Sequence, residues 1–434
     1  MKKPARTREP VNIHRTVTVC MGSAGTLVGE LTYIKQGVRE NTTFAYDPAW
    51  LARPGRFTIS SDLDLTADYQ RRRAPTAQDS VFHHAFADTA PDTWGRRVIA
   101  RDHAKRRVAE NLPPLTEIDY LLAVDDFSRI GALRLRDSDG NFLRATAEGR
   151  RDTPPLVDLQ RMYDASRAVE TNNETAADLR YLQGKGTSLG GLRPKCTVID
   201  RNGRLSLGKF PSVNDERNVT RAEVLALHLA RRAGIDAASA RIEEVQKTAV
   251  TIIERFDRTP DDLRIPYLSA ASLLQASRNE ERSYFEIADA IRARGANPVA
   301  DVRQLWRRMV FNLLIANVDD HLRNLAFLHV ENGLWRLAPA FDMNPFPDKA
   351  NESKTWLSEE DGPITSVSDL MARASYFSLG RDEALAVLME VVHAVSQWKA
   401  VAMSAAVGLK AKEIDDFAPA FEHDQMSAAR SFRI

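Results

Sequence analysis

The densest concentration of reactive side chains in the chain is Asn317-Val318-Asp319-Asp320-His321-Leu322-Arg323-Asn324. It brings acids, an imidazole and two carboxamides together directly after an apolar run. Asp319 and Asn324 stand in D-x-x-x-x-N spacing, that of phosphoryl-transfer catalytic loops in which the aspartate accepts a hydroxyl proton and the asparagine holds Mg²⁺. Eighteen residues after Asn324, the segment Leu337-Ala-Pro-Ala-Phe341-Asp342 ends in an acid expected to close a strand. Asp342 could complete a metal site there, because Mg²⁺ takes hard oxygen ligands together with phosphates. The same residues also read as a helix end and a polar loop in which Asp320 and Asn324 make turn hydrogen bonds. Spacing alone leaves both readings open.

A second candidate is Gly184-Lys-Gly-Thr187-Ser188-Leu-Gly190-Gly191-Leu-Arg-Pro-Lys195. Glycines let backbone N–H groups approach a phosphate, and successive N–H groups form an anion nest. The segment matches neither GxxxxGK[ST] nor G-x-G-x-x-G, and on its own a surface turn is the better explanation. Lys209 ends a strand candidate and Glu223 lies in the helix that follows, an arrangement that suits the strand-lysine and helix-glutamate pair of nucleotide-binding lobes. Thr220-Arg-Ala-Glu223 is also a capping box, which would account for Glu223 without a nucleotide. His83 and His84 have no cysteine or third histidine nearby, so zinc is not expected. No G-x-S-x-G supports a serine hydrolase.

These side chains need elements to hold them. Val17 to Met21 and Leu31 to Ile34 read as a hairpin, and Ser80 to Arg107 as a helix whose arginines form a solvated face or, as a lesser option, contact nucleic-acid phosphates. Ser166 to Ala177 is polar and carries no strand signal. Lys195 to Ile199 and Leu205 to Lys209 flank Asp200-Arg-Asn-Gly203, a hairpin turn, and Thr220 to Arg232 reads as a helix stopped by Gly234. Val302, Leu305, Trp306, Met309, Val310, Leu313 and Leu314 recur at helical spacing, as does Glu383 to Val407. The chain thus reads as mixed over its first 260 residues or so and mainly helical beyond. At 434 residues it is long enough for two or three units.

Hydrophobic residues at 43% and charged residues at 27% are a globular balance, which excludes a mostly disordered chain. A formal net charge of +1 argues against a protein that coats nucleic acid. Cys20 and Cys196 cannot build a disulfide framework. No run approaches the roughly 20 apolar residues of a membrane span, and the basic N-terminus has no apolar run behind it. A cytoplasmic protein with no membrane partner is expected.

Taken in order, these segments resemble the HipA family of toxin–antitoxin serine/threonine kinases. The resemblance runs from about Val17 to about Val407 through Phe44-Ala-Tyr46 to Trp50, Ile59 to Leu63, Ala90-Pro-Asp-Thr-Trp94-Gly-Arg, and Asp126-Phe-Ser-Arg-Ile-Gly131-Ala-Leu. It continues through Ser188 to Lys195, Glu254-Arg-Phe-Asp-Arg258, Asn317 to Asn324 and Leu337 to Asp342. It implies an α+β, two-lobed protein-kinase-like fold. Residues 10–140 would be a family-specific N-terminal subdomain, 141–262 the rest of a mixed α/β N-lobe, and 263–434 an all-helical C-lobe.

Carried over, Asp319 would be the catalytic aspartate, and Asn324 and Asp342 would hold Mg²⁺. Lys209 would contact the phosphates of ATP, with Gly190, Gly191, Lys195, Glu223 and His321 in the same nucleotide site. Ser188 matches the serine that relatives autophosphorylate, which would switch the enzyme off. The sequence between Ser188 and Lys195 departs from the best-studied type, which leaves Thr187 open as the modified hydroxyl. The resemblance further implies a HipB-like helix-turn-helix antitoxin encoded nearby and operator DNA met mainly through it. The protein substrate would belong to translation, as an aminoacyl-tRNA synthetase does, and its phosphorylation would arrest growth. Two other readings are a kinase-fold scaffold acting as co-repressor and a small-molecule kinase.

Overall fold

Alternating apolar residues build the first sheet. The computed structural model describes residues 12–144, 158–183, 191, 193–278 and 280–432; Thr187, Ser188 and Gly190 lie outside them. β1 (Asn12–Met21) and β2 (Thr26–Gln36) form the expected hairpin, with Val17 opposite Leu31. β3 (Arg39–Tyr46) buries Phe44 and Tyr46 at the two-residue period of a half-buried strand. α1 (Pro48–Ala52), β4 (Gln70–Arg72), α2 (His84–Asp88), α3 (Thr93–Arg107), α4 (Glu117–Ala123) and β5 (Leu133–Arg136) complete this part, in a sheet ordered β4-β3-β2-β1-β5.

The helix expected over 80–107 is therefore two helices, broken before Asp92, whose side chain caps α3 by accepting from Gly95 N at 2.7 Å. Its basic run is committed internally. Arg96 holds Glu117, Arg101 donates to Val169 O at 2.7 Å and to Glu174, and Arg106 joins Asp102 and Glu110.

α5 (Leu159–Glu170) and α6 (Ala176–Gln183) run into the polar stretch from Ser166 to Ala177 from either side. Val169, Leu179 and Leu182 nevertheless pack against Trp94 and Val98 of α3. Next come β6 (Lys195–Ile199), β7 (Leu205–Lys209), α7 (Val219–Arg232), β8 (Ala240–Val245) and β9 (Thr248–Glu254), in an antiparallel sheet ordered β6-β7-β9-β8. The β6–β7 turn is as expected, with Asp200 Oδ1 accepting from Asn202 N and Arg204 N.

Beyond β9 the chain is mainly helical rather than all-helical. β10 (Tyr267–Ser269), α8 (Ala270–Leu273), α9 (Tyr284–Arg294), α10 (Pro298–Leu314), β11 (Ala326–Glu331) and β12 (Leu334–Leu337) include a three-stranded sheet. β13 (Trp356–Ser358) and β14 (Gly362–Pro363) pair separately. β10, β12, β13 and β14 have two to four residues, too short for a period-2 signal, and the six-residue β11 buries its first three in a run without alternation. α11 (Val367–Ala372), α12 (Arg381–Ser396), α13 (Trp398–Met403), α14 (Ala411–Phe421) and α15 (Asp424–Ser431) follow, so the helix read from Glu383 is interrupted at Gln397. No helix among the described residues is long and apolar enough to cross a membrane.

A buried ionic knot ties the first sheet to the strand end at Glu254. Arg255 and Arg258 both hold Asp257, at 2.5 and 2.7 Å, and donate onward to the carbonyls of Ser128, Arg129 and Gly131. Asp257 in turn accepts from Gly131 N at 2.7 Å. Gly131 has φ +70, and a Cβ there would press on Tyr267, so the approach requires glycine.

His329 illustrates what burial does to an imidazole. It stacks on Phe57 at 3.8 Å, lies edge-on to Trp335, and its Nε2 accepts from Gly333 N. Burial pushes it down to about 4. An unfolded histidine binds its proton near 6.5. Between those values the unfolded chain holds more protons, so stability falls as pH drops through that window. His84, also pushed to about 4 by burial and Arg72, adds to the slope. His329→Phe is expected to make the thermal midpoint less acid-sensitive from about pH 6.5 to about pH 4, and an unchanged slope would contradict this.

Candidate active site

Lys195 and Lys209 are direct cross-strand partners at one end of the β6–β7 hairpin, and both are buried. Two like charges facing each other would be destabilising unless each finds an acid. Lys195 Nζ donates to Asp92 Oδ2 at 3.0 Å, across from the cap of α3. Gly191 lies against the same ammonium: a Cβ on it would come within 2.6 Å of Lys195 Nζ. Lys209 Nζ donates to Glu223 Oε1 at 2.6 Å and to Asp342 Oδ1 at 2.7 Å.

The capping-box account of Glu223 does not hold. α7 begins one residue earlier and is capped by Asn218, whose side chain accepts from Arg221 N; Thr220 is already inside the helix. Glu223, 3% exposed, points inward to Lys209. Burial raises its carboxyl, and the Lys209 ammonium offsets part of that. Burial opposes charge on Lys209 as well, but Asp342 and Glu223 hold its ammonium well above the usual lysine range. For Asp342 burial is outweighed by Lys209 and Lys195, which bring the carboxyl down to about 2.

Asp342 does not close a strand. β12 ends at Leu337, and the following chain pairs briefly with the segment after α7: Ala340 N donates to Asp236 O at 2.7 Å and Ala238 N to Ala340 O at 2.8 Å. Asp342 then adopts φ +54, a left-handed conformation that aspartate tolerates better than most residues. Arg308 of α10 fixes the approach by donating to Ala338 O at 2.8 Å.

α10 carries the apolar stripe expected of it and ends at Leu314. The chain turns through Ala316 at φ +48 into the Asn317–Asn324 loop. Asn317 is tied back to Asn312 and accepts from Asn344 N, so the loop and the Asp342 segment are braced together. Asn324 Nδ2 donates to Asp319 O at 2.9 Å, which fixes the loop. Asp320 is the buried acid, accepting from Tyr284 Oη and Lys354 N, each at 2.7 Å, and its carboxyl is raised by burial. Asp319 is more exposed, and its Oδ1 is ion-paired with Lys354.

His321, Asn324 and Asp342 line one cavity with Asn317 and Asp320; the Nδ1 of His321 is buried and has no hydrogen-bond partner among the described residues. An ionised carboxylate and a carboxamide around one cavity are hard oxygen donors of the kind a divalent cation takes, with phosphates and water supplying the rest. The residues present therefore fit Mg²⁺. Sequence reasoning missed Asp92 and Lys354. Asp92 lies 103 residues from Lys195, inside the Ala90–Arg96 segment that carries the resemblance but with nothing to mark it as a site partner, and Lys354 has no local mark at all.

The fold has two lobes, Asp342 of the C-terminal one reaching the buried Lys209–Glu223 pair of the other, and belongs to the kinase-like class. The family model of the HipA N-terminal domain matches residues 19–136, and that of the HipA-like C-terminal domain matches residues 187–399. The chain belongs to the HipA family.

Among its relatives is the "Putative kinase Y4mE" of Sinorhizobium fredii, 24% identical over 341 residues, covering 74% of this chain and 75% of the relative. A protein of like designation from Haemophilus influenzae is 25% identical over 213 residues, 42% of this chain and 61% of its own length. In structure the chain is similar to HipA of Shewanella oneidensis, solved with HipB and operator DNA. The TM-score is 0.66 at 15% identity, over 95% of this chain and 96% of that one.

Proposed function

We propose that this protein is an ATP- and Mg²⁺-dependent serine/threonine protein kinase acting as the toxin of a toxin–antitoxin pair. The observation that carries the reading is Lys209 held between Glu223 and Asp342, with Asp319 and Asn324 on the loop below. A scaffold has no need to bury a lysine between two acids, because each buried charge costs free energy unless compensated.

In this reading Lys209 releases Asp342 and takes the phosphates of ATP, while Glu223 keeps its ammonium oriented. Lys195, Gly191 and His321 line the same nucleotide site, and Gly190 would join them. Asn324 and Asp342 would hold Mg²⁺, which when bound neutralises phosphate charge. Asp319 orients the acceptor hydroxyl and takes its proton. Catalysis is positioning and electrostatics.

The acceptor would be a translation component such as an aminoacyl-tRNA synthetase. Phosphorylation of Ser188 would add nearly two negative charges and switch transfer off. By likeness to the Shewanella complex, a HipB-like antitoxin is the partner, with operator DNA met mainly through it.

The test is intact-mass and peptide mass spectrometry of dephosphorylated protein after incubation with ATP and Mg²⁺. A phosphoryl group on Ser188, absent when Mg²⁺ is chelated, is the expected result. ATP binding without transfer to the chain itself or to any protein of a cell extract would move the assignment to the co-repressor scaffold.

A further inference from the structure

Lys354 is placed with unusual care for a half-exposed lysine. Its backbone N–H donates to Asp320 Oδ1, Thr355 Oγ1 donates to Asp320 O at 2.6 Å, and Trp356 N donates to Arg282 O at 2.9 Å. Ser353 N on its other side is held by Ile364 O. The segment is thus pinned in register onto the loop that carries Asp319, and the side chain ends with its ammonium on Asp319 Oδ1. An exposed ion pair of this kind contributes little to stability, so the pinning needs another explanation.

The distribution of positive charge points to one. Lys209 is engaged with Glu223 and Asp342, and Lys195 with Asp92, all on the hairpin side of the cleft. On the opposite side, where the hydroxyl must meet Asp319, the loop itself offers His321, an aspartate pair and Arg323, and Arg323 is exposed and acts on His84, Asp88 and Tyr267. A phosphoryl group in transfer spreads negative charge over three equatorial oxygens and gains from a fixed cation beside it.

We propose that Lys354 is a further catalytic residue. Its ammonium leaves Asp319 Oδ1 as the acceptor hydroxyl arrives and moves onto the transferring phosphoryl group. The acceptor oxygen forms its bond to the γ-phosphorus, and the bridging β–γ O–P bond breaks with its electron pair leaving on ADP. The hydroxyl proton passes to Asp319, and Lys354 keeps its charge throughout. The same contact, in the absence of an acceptor, occupies the base and disfavours transfer to water.

This rests on the kinase reading, and the experiment separates the two. Mg·ADP and Mg·ATP binding are measured by calorimetry, and ADP release and self-phosphorylation are followed, for the parent, Lys354→Ala and Lys354→Arg. Lys354→Ala is expected to lower turnover by about 10²-fold, with the thermal midpoint and Mg·ADP affinity unchanged, and Lys354→Arg to recover most of the loss. Unchanged turnover in Lys354→Ala would overturn the assignment, and raised turnover would make the lysine an inhibitory pin instead. A parent that binds neither nucleotide, or binds both and transfers nothing, overturns the kinase reading and this proposal with it.

Discussion

Asp319→Asn is expected to lower phosphoryl transfer by about 10²–10⁴-fold, the usual worth of a positioned general base. The amide is nearly the shape of the carboxylate and can still accept from Lys354, but it cannot take the hydroxyl proton. The fold should not notice. The hydrogen bond that shapes the loop uses the backbone carbonyl of Asp319, accepting from Asn324 Nδ2. The structural acid is its neighbour Asp320, buried against Tyr284 and the Lys354 backbone. The loss should therefore appear in kcat, with nucleotide affinity and thermal midpoint near those of the parent. Asp320→Ala should behave in the opposite way, lowering the midpoint first. Retained transfer in a pure Asp319→Asn preparation would show that another group serves as base.

The second large effect concerns stability. Asp257→Ala is expected to destabilise the protein by about 3–5 kcal/mol, the cost of stranding buried charge by removing its partner. Asp257 is fully enclosed, and its loss would leave Arg255 and Arg258 with carbonyl acceptors but no counter-charge, and Gly131 N without its acceptor. Burial alone would push the Asp257 carboxyl up; Arg255 and Arg258 more than reverse this and hold it below the ordinary carboxylate range. Its stabilisation is therefore present at neutral pH and fades as acid approaches that depressed value. Urea unfolding at neutral pH measures the loss as a lower midpoint. A shift no larger than that of a surface aspartate would mean that the two arginines find other compensation.

Both effects trace back to short motifs, and legibility followed the distance over which a residue finds its partner. α10 and the β6–β7 hairpin were readable because their periodicity and turn chemistry are local. The Asp319 to Asn324 spacing was readable for the same reason. Glu223 was ambiguous because a capping box and an ion-pair partner look identical in one dimension; only the true cap at Asn218 separates them. α5 and α6 were not read, although α5 buries Leu159, Met162, Ala165 and Val169 at helical spacing; the polar residues from Ser166 to Ala177 hid where one helix ends and the next begins. In the C-terminal part most strands have two to four residues, and β11, though six residues long, lacks an alternating face. Neither Asp92 nor Lys354 is marked locally as a site partner, since each matters only through a lysine or a carboxylate elsewhere in the chain.

The knot around Asp257 also sets a timetable. Its two halves, residues 127–131 and 255–258, are separated by about 126 residues of chain. At roughly 5–20 residues per second, a ribosome needs on the order of 6–25 s to make that interval. For that time the carbonyls of Ser128, Arg129 and Gly131 have emerged, and the arginines that answer them do not yet exist. The first sheet can pair its own strands during the wait, but its junction stays wet and open. Docking therefore belongs late in synthesis, and a variant such as Asp257→Ala should lose yield in the cell while its first sheet still forms.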